Sequence, residues 1–291
     1  MSSVLIHEGG QVLAAVDGSV YARSVAELAA WAASRVSAPL VLLRTLERSS
    51  SPDAVDLSGN LSADGKDELL AKLASLDEQR GKLAQEHGRI LLQELRTHLH
   101  TTRGIEAETR QRHGGLVESL LELEPQVRLF VIGKRGEHAD FAKGHLGGNL
   151  ERAMRSVHRP VLVASRSYQP IERFMIAFDG SPTTRKCVEM VCASPLLKGK
   201  HCAVVYVGEP GAQSEQKLGW AGTQLRAAGF EPQMAAIPGT ADAVLAAQVK
   251  EQQIDLLVMG AYGHSKIRSM IVGSTTTQVL RNCQIPVLLL R

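Results

Sequence analysis

A glycine-rich segment between an apolar strand pattern and a helical pattern carries the clearest chemical signal in this sequence. It contains Gly260, Gly263, Gly273, Ser274 and Thr275, with the spacing Gly-x2-Gly-x9-Gly-Ser. Glycines let the backbone turn tightly and approach a ligand closely, and the free amides of a helix N-terminus attract anions. The segment therefore predicts a phosphate-binding loop, although its spacing fits neither the Walker pattern nor the dinucleotide-binding Gly-x-Gly-x-x-Gly pattern.

The same loop contains side chains that are typical of reactive sites. His264 and Ser265 are adjacent, and Lys266 and Arg268 follow them. Neighbouring residues in a loop do not make a catalytic triad, and the sequence fixes no acid to orient the histidine. We therefore expect solvent-facing side chains, of which Lys266 or Arg268 contacts phosphate, and no catalytic residue. The His and Cys residues of the chain do not have the spacing of a zinc site.

A second glycine segment has a similar but less regular pattern. Gly133 and Gly136 keep the Gly-x2-Gly spacing, but ten residues separate Gly136 from Gly147, and Gly148-Asn149 stands where Gly-Ser is expected. Backbone amides there suit a phosphate, whereas a hydroxyl ligand is lost. Its basic residues either neutralise phosphates or form a solvated loop, and both interpretations stay open. They are Lys134, Arg135, His138, Lys143 and His145.

Two aspartates belong to an internal repeat. Val-Leu-Ala-Ala-Val-Asp-Gly-Ser around Asp17 matches Phe-Met-Ile-Ala-Phe-Asp-Gly-Ser around Asp179, at an offset of 162 residues. Near the end of each copy, Pro160-Val-Leu matches Pro286-Val-Leu at an offset of 126, so the first copy is 36 residues longer. One interpretation of both aspartates is a helix N-cap, which contributes about 1 kcal/mol. A repeat of this length in 291 residues predicts two tandem domains.

The elements that must position these residues alternate between strands and helices. Apolar strands that alternate with amphipathic helices predict a parallel sheet covered on both faces, with ligands at the carboxyl ends of the strands. The second copy has strand patterns at 173–178, 201–207, 231–237, 255–259 and 286–290, and helical patterns at 183–193, 213–228, 240–252 and 275–282. The strand patterns of the first copy lie at 11–16, 39–46, 104–111, 127–132 and 160–164.

The extra length of the first copy is an insertion at 47–100, between its second and third strands. Residues 47–66 are rich in Ser, Asp and Gly and predict a loop, and residues 67–100 predict a long helix. The helix either packs on its own sheet or forms a partner-binding arm. Its candidate apolar stripe, which Gly81 and Gly88 weaken, consists of Leu69, Leu73, Leu76, Leu83, Ile90 and Leu91.

Composition limits the classes of partner. A formal charge of +3 over 291 residues makes no case for nucleic acid. The chain starts without the pattern of a secretory signal, and no apolar run approaches the roughly 18 residues of a membrane span, so we expect a cytoplasmic protein with no membrane partner. Four cysteines without a Cys-x-x-Cys pair are interpreted as small core residues. They are Cys187, Cys192, Cys202 and Cys283.

The Gly260 spacing, supported by the repeated Asp-Gly-Ser and Pro-Val-Leu segments, resembles the ATP-binding signature of the universal stress protein family. The resemblance implies an α/β fold of two tandem, doubly wound, Rossmann-like domains, at 1–166 and 172–291. Each domain has a five-stranded parallel sheet of order 3-2-1-4-5. It also implies bound ATP, with or without Mg²⁺.

The resemblance further assigns roles to single residues. Asp179 faces the nucleoside of ATP, and Asp17 is a weaker candidate for the same role. The backbone at the end of the second strand, Val207 or Thr45, meets the adenine edge. The Gly260 loop of the second copy is the favoured phosphate site, whereas nucleotide binding by the first copy stays open.

The last strand of each copy, Val161–Ala164 and Val287–Leu290, is short and apolar, and natural proteins rarely leave such sheet edges bare. We predict that the two strands pair, which gives a pseudo-twofold internal dimer like the family's usual homodimer. Further assembly into a homodimer of whole chains stays open.

These observations favour an ATP-binding stress-response module whose bound nucleotide biases a surface read by an unknown protein partner. Two alternatives remain. One is an ATP-using enzyme on the same fold, such as a slow ATPase. The other is a nucleotide-free scaffold that uses the insertion at 47–100 as its arm.

Overall fold

The structure is a computed structural model that describes residues 9–47, 63–137, 146–261 and 274–291, with the backbone alone for 63–71, 274 and 275. The first copy contains β1 (Gln11–Ala15), α1 (Ala22–Val36), β2 (Leu40–Leu46), α2 (Ala63–Arg103), β3 (Ala107–His113), α3 (Leu116–Leu123), β4 (Val127–Gly133), α4 (Gly148–Ser156) and β5 (Val161–Ala164). The second contains β6 (Arg173–Ala177), α5 (Pro182–Ala193), β7 (His201–Val207), α6 (Ala212–Ala227), β8 (Gln233–Ile237), α7 (Ala241–Glu251), β9 (Leu256–Gly260), α8 (Ser274–Asn282) and β10 (Val287–Leu290).

The strands of both copies form one sheet in the order β3-β2-β1-β4-β5-β10-β9-β6-β7-β8. Within each copy all pairs are parallel, and the order 3-2-1-4-5 is confirmed in both. The predicted pairing of the two final strands is also confirmed, because β5 and β10 are antiparallel neighbours with Leu162 opposite Leu288. The edges that each copy would expose alone therefore cover each other.

The sheet is buried on both faces, as its nearly continuous apolar strands require. One face carries α1, α2, α5 and α6, which bury Leu28, Leu99, Val188 and Leu225 respectively. The other carries α3, α4, α7 and α8. Their buried side chains include Leu120, Leu150, Leu245 and Leu280. Each apolar layer runs through both copies.

The insertion differs from its prediction in where its helix begins and which side it buries. Helix α2 begins at residue 63, inside the predicted loop, and the rest of that loop after Glu47 lies outside the described residues. The side chains that pack on the sheet are Leu92, Leu95 and Leu99. The predicted stripe is wrong for most of its members, because Leu73, Leu76, Leu83 and Ile90 are exposed, Leu91 is half-buried and Leu69 has no described side chain.

The four cysteines are free, as their apolar surroundings predict. Cys187, Cys202 and Cys283 are buried and Cys192 is half-buried. Burial raises the pKa of Cys187 and of Cys202 to about 12, because a thiolate is poorly solvated among apolar side chains. The three buried cysteines are therefore core residues. Across the described residues, no helix combines the length and apolar character that crossing a membrane requires.

Candidate functional site

The first copy contains a cavity of about 600 Å³ at the carboxyl ends of its strands. Because β1 and β4 are neighbours, their ends bring the loop after Ala15 next to the loop after Gly133. All six residues of the first copy that the sequence singles out for nucleotide binding line this cavity. They are Asp17, Gly133, Gly136, Gly147, Gly148 and Asn149. Thr45, at the predicted adenine edge, also lines it.

Asp17 joins the two walls of the cavity. One carboxylate oxygen accepts the Ser19 amide at 3.0 Å, and the other accepts the Glu137 amide at 3.1 Å. The N-cap of α1 is Tyr21 rather than Asp17, so the capping interpretation is wrong for this aspartate. A Cβ on Gly136 would lie 3.1 Å from the same carboxylate, which explains why the loop needs glycine at this close approach.

Helix α4 begins at the cavity. The Gly147 amide donates to the Lys134 carbonyl at 3.1 Å, which closes the loop on itself and leaves the first turn of α4 facing the cavity. Gly148, Asn149 and Leu150 therefore bring amides and helix-dipole charge to its wall. The Asn149 side chain accepts from Arg152, which also lines the cavity.

The basic residues of this loop separate into two groups. Arg135 lines the cavity, whereas Lys134 turns away from it and donates to the Cys283 and Ile285 carbonyls of the second copy. Burial lowers the pKa of Lys134 to about 8, because an ammonium is poorly solvated there. Neither interpretation therefore holds for Lys134, which does not line the cavity and is buried rather than solvated. His138, Lys143 and His145 lie outside the described residues.

Several further residues of the cavity wall escaped the sequence analysis, among them Arg44, Glu137 and His87. Arg44 lies on β2, Glu137 follows Gly136, and His87 lies on α2. Arg44 had a usable signal, since it is a charged residue within the apolar strand Leu-Val-Leu-Leu-Arg-Thr-Leu. His87 had none, because its approach depends on where the insertion crosses the sheet.

In the second copy, Asp179 organises the turn into α5. Its carboxylate accepts the Ser181 amide at 2.8 Å and the Thr184 hydroxyl at 2.7 Å. Ser181 is the N-cap of α5 and accepts the Thr184 amide at 3.3 Å. The capping role therefore belongs to the serine, whereas the aspartate holds the turn that precedes it.

The remaining candidates of the second copy lie at the ends of its strands. Gly260 ends β9 beside β6, where a Cβ would meet Thr183 Cγ2 at 2.9 Å. Val207 ends β7 and is half-buried. Ser274 and Thr275 begin α8, whose Thr276 hydroxyl donates to the Ala261 carbonyl at 3.0 Å. Gly263 and Gly273 lie outside the described residues, as do His264, Ser265, Lys266 and Arg268.

A different side chain covers the Asp-Gly-Ser turn in each copy. The Glu137 carboxylate lies over Gly18 and accepts its amide at 3.2 Å. Over Gly180 lies the aliphatic part of Lys217, whose ammonium is 5.1 Å from the centre of the Tyr206 ring. The first-copy turn is thus covered by a carboxylate and the second-copy turn by a lysine.

Comparison with known proteins gives concordant matches. A profile of the universal stress protein family matches residues 10–165 and 208–291. The chain is 35% identical to universal stress protein Slr1230 of Synechocystis sp. over 96% of this chain and 99% of that protein. It is 25% identical to universal stress protein Rv1996 of Mycobacterium tuberculosis over 62% of this chain and 63% of that protein. A crystal structure of a universal stress protein from Archaeoglobus fulgidus has a similar fold, with a TM-score of 0.67, 19% identity and coverage of 97% of this chain and 98% of that chain.

Proposed function

This chain belongs to the universal stress protein family, and from that premise we propose that it is an ATP-binding stress-response module that acts by binding rather than by turnover. In this proposal, bound nucleotide shifts the conformation of a surface that a protein partner recognises. The second copy holds ATP between Asp179 and the loop from Gly260 to Ser274, and the first copy offers a second site between Asp17 and the Gly133 loop.

One observation carries the proposal. Six residues chosen from the sequence for phosphate or nucleoside contact, spread from Asp17 to Asn149, line one cavity of the first copy. Its volume of about 600 Å³ lies within the range of about 300–1,000 Å³ that is typical of small-molecule sites. Amides at the start of α4 and the guanidinium groups of Arg135 and Arg152 suit a phosphate chain.

The second copy supports the same function by its arrangement. Asp179 lies two residues after the end of β6, Gly260 is the last residue of the neighbouring β9, and α8 begins at Ser274. These are the positions that Asp17, Gly133 and the start of α4 occupy in the first copy. A nucleotide that bridges the aspartate and the helix N-terminus would contact both walls of the crevice in either copy.

The direct test is mass spectrometry of the freshly purified full chain, followed by calorimetric titration with ATP. We expect co-purified ATP, at one or two molecules per chain, and no sustained phosphate release. A chain that carries no nucleotide and does not bind ATP at millimolar concentration would overturn the proposal. Steady release of phosphate with many turnovers would instead establish an ATPase.

Variants locate the binding site. Asp179→Ala and Gly263→Ala should remove ATP from the second copy and leave the fold intact, as circular dichroism would show. Gly219→Ala is the matched control, since no atom lies within 4 Å of the added methyl group. Unchanged ATP retention in both site variants would leave the first-copy cavity as the binding site.

A further inference from the structure

Arg44 is a buried cation with incomplete pairing. It is 7% exposed, and its Nε and Nη1 atoms have no hydrogen-bond partner among the described residues. A buried guanidinium without partners is costly, because it has lost its hydration and gained no bonds in return. These two nitrogens are shielded from solvent and Nε packs beside Gly88 of α2, so Arg44 meets the first-copy cavity at Nη2, beside Glu137.

Glu137 partly compensates the positive charge of Arg44. Its carboxylate lies 3.8 Å from Nη2 of Arg44 and also accepts the Gly18 amide. The side chain is 42% exposed, so water competes for the same carboxylate. A distance of 3.8 Å is too long for a hydrogen bond, and the pair therefore leaves Arg44 able to bind a better-placed anion.

Arg44 lies on β2, next to Thr45 at the predicted adenine edge, and its guanidinium extends toward Glu137. The phosphate loop follows β4, and β1 lies between these strands. Two strand spacings separate β2 from β4, about 10 Å. Helix α2 closes the same side, because Ala84 and His87 line the cavity and a Cβ on Gly88 would lie 3.1 Å from Arg44.

The second copy lacks this arrangement. At the repeat offset of 162 residues, Arg44 corresponds to Tyr206, and Glu137 corresponds to His264 by its position after the Gly-x2-Gly pair. The pair of opposite charges is therefore specific to the first copy. A ligand that uses Arg44 would distinguish the two copies within one chain.

We propose that the first copy binds a nucleotide with a second anionic group on its nucleoside side, such as a phosphate on the ribose, and that Arg44 binds this group after Glu137 is displaced. The inference rests on the proposed nucleotide-binding function and adds the ligand class of the first-copy site. The 5′-phosphate binds at the start of α4, and the second anion bonds Nη2 of Arg44 in place of Glu137. His87 places a further polar group on the same wall.

Calorimetric titration of the full chain with AMP, ATP and adenosine 3′,5′-bisphosphate tests the inference, with the 2′,5′ isomer as a second probe. We expect one site per chain to prefer a bisphosphate to AMP by about tenfold or more, since charge-assisted hydrogen bonds to guanidinium are strong. Arg44→Gln should remove the preference for the bisphosphate. Arg226→Gln, at an exposed position of α6, is the control for loss of one positive charge.

Glu137→Gln gives an independent measurement. Removing the competing carboxylate should raise the affinity for the bisphosphate severalfold, even if Arg44→Gln proves unstable. Equal affinities for AMP and both bisphosphates, a preference that survives Arg44→Gln, or an unchanged affinity in Glu137→Gln would overturn this inference. Failure of all nucleotides to bind, ATP included, would instead overturn the proposed function.

Discussion

Asp17 and Asp179 stand in the same Asp-Gly-Ser motif and yet make different contacts. Both accept the serine amide two residues later, which fixes the turn. Asp179 uses the same oxygen to accept the Thr184 hydroxyl of α5, whereas Asp17 reaches across the crevice to the Glu137 amide. The sequence predicts the turn because it is local, but not the second contact of Asp17, since that depends on the opposite loop.

Gly260 lies at a close approach that permits a stability test. Gly260→Ala would place a methyl group 2.9 Å from Thr183 Cγ2, so we expect a loss of about 1–3 kcal/mol in the free energy of unfolding and weaker ATP binding by the second copy. Gly148→Ala, with no atom within 4 Å of the added methyl group, should gain about 0.4–1 kcal/mol, because the unfolded chain with alanine has less conformational entropy to lose. Urea unfolding measures both, and wild-type stability in Gly260→Ala would contradict the packing.

Helix α2 has a docked part and an exposed part. From Gly88 onward it packs on β2 and β3 through Leu92, Leu95 and Leu99, whereas residues 72–87 are exposed. The periodicity of the sequence predicts a long helix correctly. It does not predict the buried face, because the apolar residues of the exposed part have a different phase from those that dock. Whether the exposed part binds a protein partner stays a prediction.

The two parts should respond differently to the same substitution. Leu99→Ala removes a fully buried side chain and should lower the free energy of unfolding by about 2–5 kcal/mol. Leu83 is 71% exposed, so Leu83→Ala should change the free energy of unfolding by less than about 0.5 kcal/mol. Equilibrium denaturation of both variants checks this contrast, and equal losses would mean that Leu83 is buried against another surface in solution.

At the scale of the whole molecule, the two copies are joined by more than the β5–β10 pair. Lys134 of the first copy donates to the Cys283 carbonyl at the end of α8, and Arg291 of the second donates to the Arg155 carbonyl at the end of α4. Cations at helix C-termini are favoured by the helix dipole. The same two helices follow the two glycine loops that we propose to bind phosphate, so each of these helices is held at its C-terminal end by the other copy.

The parallel sheet is predictable from apolar strands that alternate with helices, and the central pairing from the repeat and its bare final edges, whereas the strand order is what the family resemblance implies. The contacts between the two copies, and those between α2 and β2, are not predictable from the sequence. Lys134 lies within a glycine loop between Gly133 and Gly136, where a phosphate contact and a solvated side chain are the local alternatives, and its actual contact depends on the packing of the second copy. The same holds for Arg44, whose role depends on where α2 crosses β2.

Lys134 makes the stability of the whole chain depend on pH. Its pKa falls from 10.5 to about 8 on folding because the ammonium is desolvated, so the unfolded chain binds more protons between these values. The free energy of unfolding should therefore rise with pH above 8, by about 2 kcal/mol at pH 10 relative to Lys134→Met. Urea unfolding of both proteins at pH 7, 8, 9 and 10 measures this difference. Because the two proteins share all other titratable groups, the contributions of those groups cancel.

Lys250→Met, at an exposed position of α7, is the control for loss of an amine. A stability difference between wild type and Lys134→Met that does not change with pH would show that the Lys134 amine is solvated and that this contact between the copies does not form.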